Sequence, residues 1–581
     1  MRREEVERFM DKTAPMKEVS IVLCGEAGQG IQTVEEILNS VLKLSGHNVF
    51  STSEFMSRIR GGNNSTEIRV SSQKVNAYVD RIDILVPFSQ SAIQHLGERV
   101  TDKTIVLGDK ENIGGGNGYM AVEVPFSREA SDIGSPLYAN TMAVGVILGL
   151  LSGDLEILQD YLQRFLGAKG SDVVQKNREA ARRGYRIGND LRRSGRVDIV
   201  LGASPEVKEE ILLSGTEAVA LGAVAGGCNF VSFYPMSPST GVAVFLAQHA
   251  KNFDMIVEQA EGEIAAINMA LGAWYAGARA MVTTSGGGFD LMTEGLSLAG
   301  ITETPIVIHL GQRPGGATGL PTRTEQADLE LALYAGHGES PRAIFSPGTI
   351  DEAFRLTRRA FELAGAYQIP VIILTDQYLL DSYYHVPSLD LSNVEKNGHL
   401  AKTKSPYRRY ELTEDGVSPR GIPGFGDGLV VVAGNEHDEQ GHLTEDAHIR
   451  REMVAKRLRK LRSTTEEAET PQLVGTEDYR DLVIGWGSTY HTIVEALQRV
   501  GRDDIAFLHF AQVYPLHRSV EDYLTRARSV IIIENNATGQ FAKLIKLCTG
   551  IEIGHTILKF DGRPFSVEQV AEALRDHAEV K

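Results

Sequence analysis

Asn229-Phe230-Val231-Ser232-Phe233-Tyr234-Pro235-Met236-Ser237-Pro238-Ser239-Thr240 reads as a short strand that runs straight into a proline-fixed turn rich in hydroxyls. Pro235 and Pro238 hold the backbone extended. That leaves the hydroxyls at a strand's carboxyl end, where open parallel sheets bind their ligands. Ser237-Pro238 equally suits a helix N-cap with proline in the first turn, and both readings can hold together. The next strand-like run, 255–260, ends in Glu261-Gly262-Glu263, and an Ala- and Gly-rich helix pattern follows over 264–277. Small residues there permit close packing against another backbone or a cofactor. Burial would disfavour a charge on Glu263 while the helix N-terminus would favour it; a carboxylate that merely caps the helix has the same sequence.

A third run, 307–310, leads into Gly311-Gln312-Arg313-Pro314-Gly315-Gly316-Ala317-Thr318-Gly319-Leu320-Pro321-Thr322-Arg323-Thr324-Glu325-Gln326. A strand ending in a Gly/Pro loop with two Arg and three Thr suits an anion, because a guanidinium grips a carboxylate through two hydrogen bonds. Strand-like runs continue to 371–375, so an α/β domain is expected over 196–390. Ahead of it, a β-type run over 19–24 enters Gly25-Glu26-Ala27-Gly28-Gln29-Gly30 and then an amphipathic helix pattern over 33–44. Such a turn suits a phosphate or serves as a tight structural turn. Its spacing, G-x-x-G-x-G, differs from the Rossmann G-x-G-x-x-G, and the Lys and Ser/Thr of a P-loop are absent. This first α/β domain is placed at 1–195. Residues 391–475 read as an extended connector carrying Pro406, Pro419 and Pro423. The seven Lys and Arg over 450–462 are expected on a solvated helix face. His437, His442 and the acids between them read as a surface loop rather than a metal site. A last α/β domain spans 476–581, giving three in all.

The chain has 581 residues, room for about four domains of roughly 150 residues. Apolar residues are 42% and charged residues 23%, the composition of a globular protein. A net charge of -17 opposes binding to nucleic acid. The most apolar stretch, 142–151, is about half the roughly 20 residues a membrane span needs. The charged N-terminus lacks the apolar core of a secretory signal, so a cytoplasmic address is expected. Cys24, Cys228 and Cys548 are too few and too scattered for an iron-sulfur cluster or a structural zinc site, and no metal is expected on this chain.

Y-P-M-S-P-S-T, E-Q-A-E-G-E-I-A-A-I-N-M-A-L-G-A and G-Q-R-P-G-G-A-T-G-L-P-T-R-T-E-Q together resemble the alpha subunit of 2-oxoacid:ferredoxin oxidoreductases. The glycine loop with Arg60-Gly61-Gly62 resembles the gamma domain of that family, so the chain looks like the fused gamma-alpha form. Gly485-Trp486-Gly487-Ser488 and Glu534-Asn535-Asn536-Ala537-Thr538-Gly539-Gln540 resemble its C-terminal, transketolase-like domain. The resemblance implies a gamma domain, a thiamine-pyrimidine-binding domain and that C-terminal domain. It implies thiamine diphosphate, with Glu263 as the catalytic carboxylate on the aminopyrimidine ring and Tyr234 and Pro235 beside the cofactor. Arg313 and Ser237 would take the substrate, and Gly28 and Gly30 the phosphates of coenzyme A; a distal carboxylate needs another donor or cation, for which Thr322, Arg323 and a residue of the partner all stand open. Ser237 stands where the family commonly has Thr, and Met236 where it commonly has Ile.

Thiamine enzymes hold the diphosphate through magnesium with a G-D-G motif followed by Asn. Gly426-Asp427-Gly428 lacks an Asn at that spacing and reads as a turn. The diphosphate site and its magnesium are therefore expected on a beta subunit, and the resemblance implies that this subunit also carries a 4Fe-4S cluster, in a dimer of alpha-beta pairs that reduces ferredoxin. The loop 316–322 looks most like those acting on 2-oxoglutarate, with pyruvate or branched-chain oxoacids as the alternative. A nicotinamide-dependent dehydrogenase would explain the glycine loop alone, and a non-catalytic scaffold would need Glu263 only as a cap.

Overall fold

The computed structural model describes residues 17–26, 28–57, 62–115, 118–197, 199–392 and 399–579. Contacts divide the chain into two units, Met1–Leu213 with Ser382–Ser388 and Ser214–Asp381 with Leu389–Lys581. Among the described residues, three sheets of eight, seven and five strands carry an α/β fold.

In the first unit β1 (Glu18–Glu26) pairs parallel with Ile84–Pro87 and antiparallel with Asn63–Ser71. Helix α1 (Ile31–Leu44) follows because Ile31, Val34, Ile37, Leu38, Val41 and Leu42 recur along one face, and that face is buried. The apolar stretch of the sequence is α2 (Ala139–Leu150), packed along α3 (Ser171–Arg193). A Cβ built on Gly145 of α2 would fall 2.4 Å from the Ala181 carbonyl oxygen, and one on Gly188 of α3 would fall 2.0 Å from that of Val146. These glycines let two helix backbones touch. Among the described residues no helix is long and apolar enough to cross a membrane.

The second unit is built on β2 (Phe230–Phe233), β3 (Ile256–Gln259), β4 (Ala280–Ser285), β5 (Ile306–Gln312) and β6 (Pro370–Asp376), lying side by side in the order β3, β2, β4, β5, β6. All four pairings are parallel, so all five strands end at one edge. Strand β3 lies on one side of β2 and β4 on the other, which places the reversal of strand order at β2, the preferred place for a ligand. Helices α4 (Glu263–Tyr275) and α5 (Gly286–Leu291) start from that edge. Within the sheet, His309 of β5 meets Thr283 at 2.8 Å and Thr375 at 2.9 Å, and burial pushes its pKa down to about 3, so the ring is neutral. It bridges three strands.

Residues 399–446 form turns and isolated bridges yet bury Arg409, Tyr410, Arg420 and His437. The His437 ring lies 3.8 Å from that of Tyr410, so this histidine is a core side chain and not part of a surface loop. Gly426-Asp427-Gly428 is a turn: the Asp427 and Gly428 N–H groups donate to the Thr403 carbonyl and hydroxyl at 3.0 and 3.1 Å.

The basic run departs from expectation. It lies in α6 (Ala447–Glu466), whose Lys456, Arg457 and Lys460 are buried rather than solvated. Lys456 Nζ donates to both oxygens of Glu303 at 2.7 Å, and Lys460 Nζ lies 2.5 Å from Oε2. Burial alone would raise the Glu303 pKa; Lys460, Lys456 and Arg409 overcome it and hold the carboxyl well below its ordinary range. Burial pulls Lys456 down to about 8 against the pull of Glu303. The run alternates because Lys456 and Lys460, one turn apart, face a buried carboxylate while Arg462 faces water. The five-stranded sheet, with β7 (Asp481–Trp486) and β8 (Ser529–Glu534) adjacent and parallel, completes this unit.

Lys456→Met is expected to cost about 3 kcal/mol, because it leaves a buried carboxylate with one lysine fewer, whereas Arg462→Met should fall within about 0.5 kcal/mol of the wild type. Denaturant unfolding of the two variants tests this; equal midpoints would contradict it.

Candidate active site at the carboxyl edge of the parallel sheet

Four strands deliver their exits to one edge. Glu263, the first residue of α4, is only 5% exposed although it carries a carboxylate. It makes no cap: α4 opens on Gly262 with no side-chain cap bond, and Glu263 Oε1 is buried without a partner among the described residues. Gly288 of α5 backs it, for a Cβ built there would lie 2.9 Å from both Cγ and Oε1 of Glu263. Any residue larger than glycine would fill the space around the acid.

Tyr234, Pro235 and Ser237 leave β2 exposed at this edge, and Tyr234 is 38% exposed. Arg313, leaving β5, is 8% exposed and donates from Nη1 to the Ser237 carbonyl at 2.7 Å. The two residues expected to meet a substrate are therefore in contact. Thr322, further along the loop, is half-buried. That loop folds back over α5, and a Cβ built on Gly287 would lie 3.5 Å from the Ala317 carbonyl oxygen. Gly319 adopts φ +54 where a Cβ would strike the Pro314 carbonyl, so only glycine closes this turn.

The motifs of the last domain hold this loop. Gln326, fully buried, donates from Nε2 to the Trp486 carbonyl at 2.8 Å and accepts from the Asn535 N–H at 3.0 Å. Asn536 donates to the Gln326 carbonyl at 3.2 Å, and Gln540 to that of Ala327 at 2.8 Å. Glu534 in turn accepts the Phe541 and Ala542 N–H groups at 2.9 and 3.0 Å, fixing the first turn of α7 (Gln540–Thr549). Burial raises the Glu534 pKa and these bonds oppose it.

Two further parts of this edge carry little signal in the sequence. One is Ser285-Gly286-Gly287-Gly288, which turns β4 into α5. The other is Asp328, two residues beyond the quoted loop, whose carboxyl lies against Gly286. Three glycines directly after an apolar run were the available signal for the first; the second has none short of the fold.

In the first unit, Gly28 is exposed at φ +92 and Gly30 opens α1 at φ +76 with no side-chain cap. Gln29 fixes the turn by accepting from the Glu26 N–H at 2.7 Å and donating to the Phe88 carbonyl at 3.3 Å. Ala27, Arg60 and Gly61 of the motifs read above lie outside the described residues.

Residues 221–456 match the family described as "Pyruvate flavodoxin/ferredoxin oxidoreductase, thiamine diP-bdg", and residues 20–187 match "Pyruvate ferredoxin/flavodoxin oxidoreductase". The chain is 31% identical to a 2-oxoacid:ferredoxin oxidoreductase subunit alpha from Sulfolobus sp, with 96% of each chain covered. It is 26% identical to the 2-oxoglutarate oxidoreductase subunit KorA of Mycobacterium tuberculosis, over 96% of this chain and 91% of that one. Among solved structures it matches the 2-oxoglutarate:ferredoxin oxidoreductase from Magnetococcus marinus, with 2-oxoglutarate, coenzyme A and succinyl-CoA bound. That match has a TM-score of 0.89 and 31% identity over 97% of this chain and 99% of that chain.

Gln326→Ala removes two buried hydrogen bonds and leaves the Asn535 N–H without its acceptor, at an expected cost of about 1–3 kcal/mol. Limited proteolysis of the loop 313–324 should accelerate in parallel. An unchanged unfolding midpoint with unchanged cleavage would contradict the clamp.

Proposed function

The chain belongs to the alpha subunits of the 2-oxoacid:ferredoxin oxidoreductases, and on that premise we propose that it converts 2-oxoglutarate and coenzyme A to succinyl-CoA, carbon dioxide and reduced ferredoxin, reversibly. The observation that carries this reading is the buried, unpartnered Oε1 of Glu263 at the same sheet edge as the Arg313 loop. The residues fit thiamine diphosphate: a lone buried carboxyl oxygen suits a hydrogen bond to the ring nitrogen of its aminopyrimidine, and Gly288 leaves the space beside it open.

Thiamine diphosphate, when bound, would supply a carbon nucleophile and an electron sink for decarboxylation of a 2-oxoacid. Glu263 would hold the aminopyrimidine through a hydrogen bond between Oε1 and its ring nitrogen and stabilise a proton there. Tyr234 and Pro235 wall the cofactor. Arg313 grips the substrate carboxylate, and its bond to the Ser237 carbonyl fixes both residues on the same molecule. Thr322 lies on the loop that reaches toward the distal carboxylate of 2-oxoglutarate. Gly28 and Gly30 present the glycine turn at the start of α1 to the coenzyme A phosphates.

The diphosphate half of the site is assigned to a beta subunit, together with magnesium and the 4Fe-4S cluster. Gly426-Asp427-Gly428 supports this assignment, since its backbone is engaged with Thr403. Exposed Ile264, next to Glu263, and Met269, further along α4, suit coverage by that partner. Two alpha-beta pairs in the cytoplasm, with ferredoxin as the electron acceptor, complete the proposal.

With the reconstituted complex and a one-electron acceptor, 2-oxoglutarate should exceed pyruvate and branched-chain 2-oxoacids by about tenfold or more in kcat/KM. The isolated chain should give no turnover. A preference for another oxoacid would overturn the substrate assignment, and full turnover by the isolated chain would overturn the shared site.

A further inference from the structure

One buried acid beside the site has no role in the proposal above. Asp328 stands at the N-cap of the helix Leu329–Tyr334, where an Asp side chain usually accepts from the helix N–H groups. Here it forms no cap bond. Its carboxyl turns instead to the glycine exit of β4, and a Cβ built on Gly286 would fall 2.4 Å from Oδ2 and 2.6 Å from Oδ1. Oδ2 is buried without a partner among the described residues, and the whole residue is 8% exposed. The Asp328 N–H donates to Gln312 Oε1 at 3.0 Å, which ties the residue beside Arg313, next in the chain. The Gly286-Gly287-Gly288 turn thus carries Asp328 against its first glycine and Glu263 against its last.

We propose that Asp328 is a further substrate-contacting residue, whose carboxyl hydrogen-bonds through Oδ2 to an oxygen of the 2-oxoacid carboxylate gripped by Arg313. This rests on the reading of Arg313 given above. The charged groups acting on it are Arg313 at the end of β5, which favours ionisation, and Glu325 on the loop, which opposes it. Burial outweighs both and pushes the Asp328 pKa up to about 7. Below that pH the acid is a donor. Above it, an ionised Asp328 repels the substrate carboxylate and competes with it for the guanidinium.

The test is the KM for 2-oxoglutarate, measured with the alpha-beta complex from about pH 6 to about pH 8.5. For the wild type, KM should stay level in the acid range and then climb toward about tenfold per pH unit above 7, the limit for one titrating group. Asp328→Asn, which keeps a donor and cannot ionise, should stay within about threefold of the acid-range wild-type value and show no climb. A wild-type KM flat through neutrality overturns the proposal, as does an Asp328→Asn profile that keeps the wild type's climb. If Asp328→Asn fails to assemble, the wild-type profile alone decides. Arg313→Gln separates this from the reading beneath it: KM should rise about a hundredfold at every pH if Arg313 grips the carboxylate. An unchanged KM would remove the Arg313 assignment itself.

Discussion

A carboxylate oxygen buried with no partner among the described residues is the constraint around which the second unit is arranged. Leaving such a group unpaired costs about 1–3 kcal/mol or more, so it persists where something else completes it. Glu263 reaches that position because β3 ends one turn before α4 begins, and because the glycines after β4 leave room beside it. The parallel sheet supplies the rest. By aligning five strand ends, it puts Ser237, Glu263, Gly288 and Arg313 on one edge although 76 residues separate the first from the last.

The last domain acts on this edge through backbone carbonyls and amides. Gln326, Asn535, Asn536 and Gln540 form a hydrogen-bonded clamp on the far end of the Arg313 loop, and Arg313 anchors its near end on Ser237. A loop rich in Gly and Pro has little structure of its own. Held at both ends, it can present Arg313 and Thr322 without a large ordering penalty on binding. The buried Glu303 pair with Lys456 and Lys460 is a separate anchor, fixing α6 within the same unit.

Much of this was legible in the chain. The strand-to-turn passage at Tyr234, the helix starting at Glu263 and the loop after β5 are local patterns, and their order along the chain carried the family resemblance. What stayed hidden depends on distant pairing. Nothing local distinguishes Lys456 and Lys460 from the exposed Arg462, because the carboxylate they face is about 150 residues earlier in the chain. Asp328 likewise looks like an ordinary cap until the fold sets it against Gly286. His437 looks like a loop residue until Tyr410 covers its ring.

The most direct measurement is turnover of 2-oxoglutarate by an alpha-beta complex carrying Glu263→Gln, with assembly followed by analytical ultracentrifugation. The change preserves shape and size while removing the charge and half of the accepting capacity. A fall in kcat of at least about a hundredfold in a fully assembled complex is the predicted result. Near-normal turnover in that complex would show that Glu263 only shapes its helix, and the account built on it would fail.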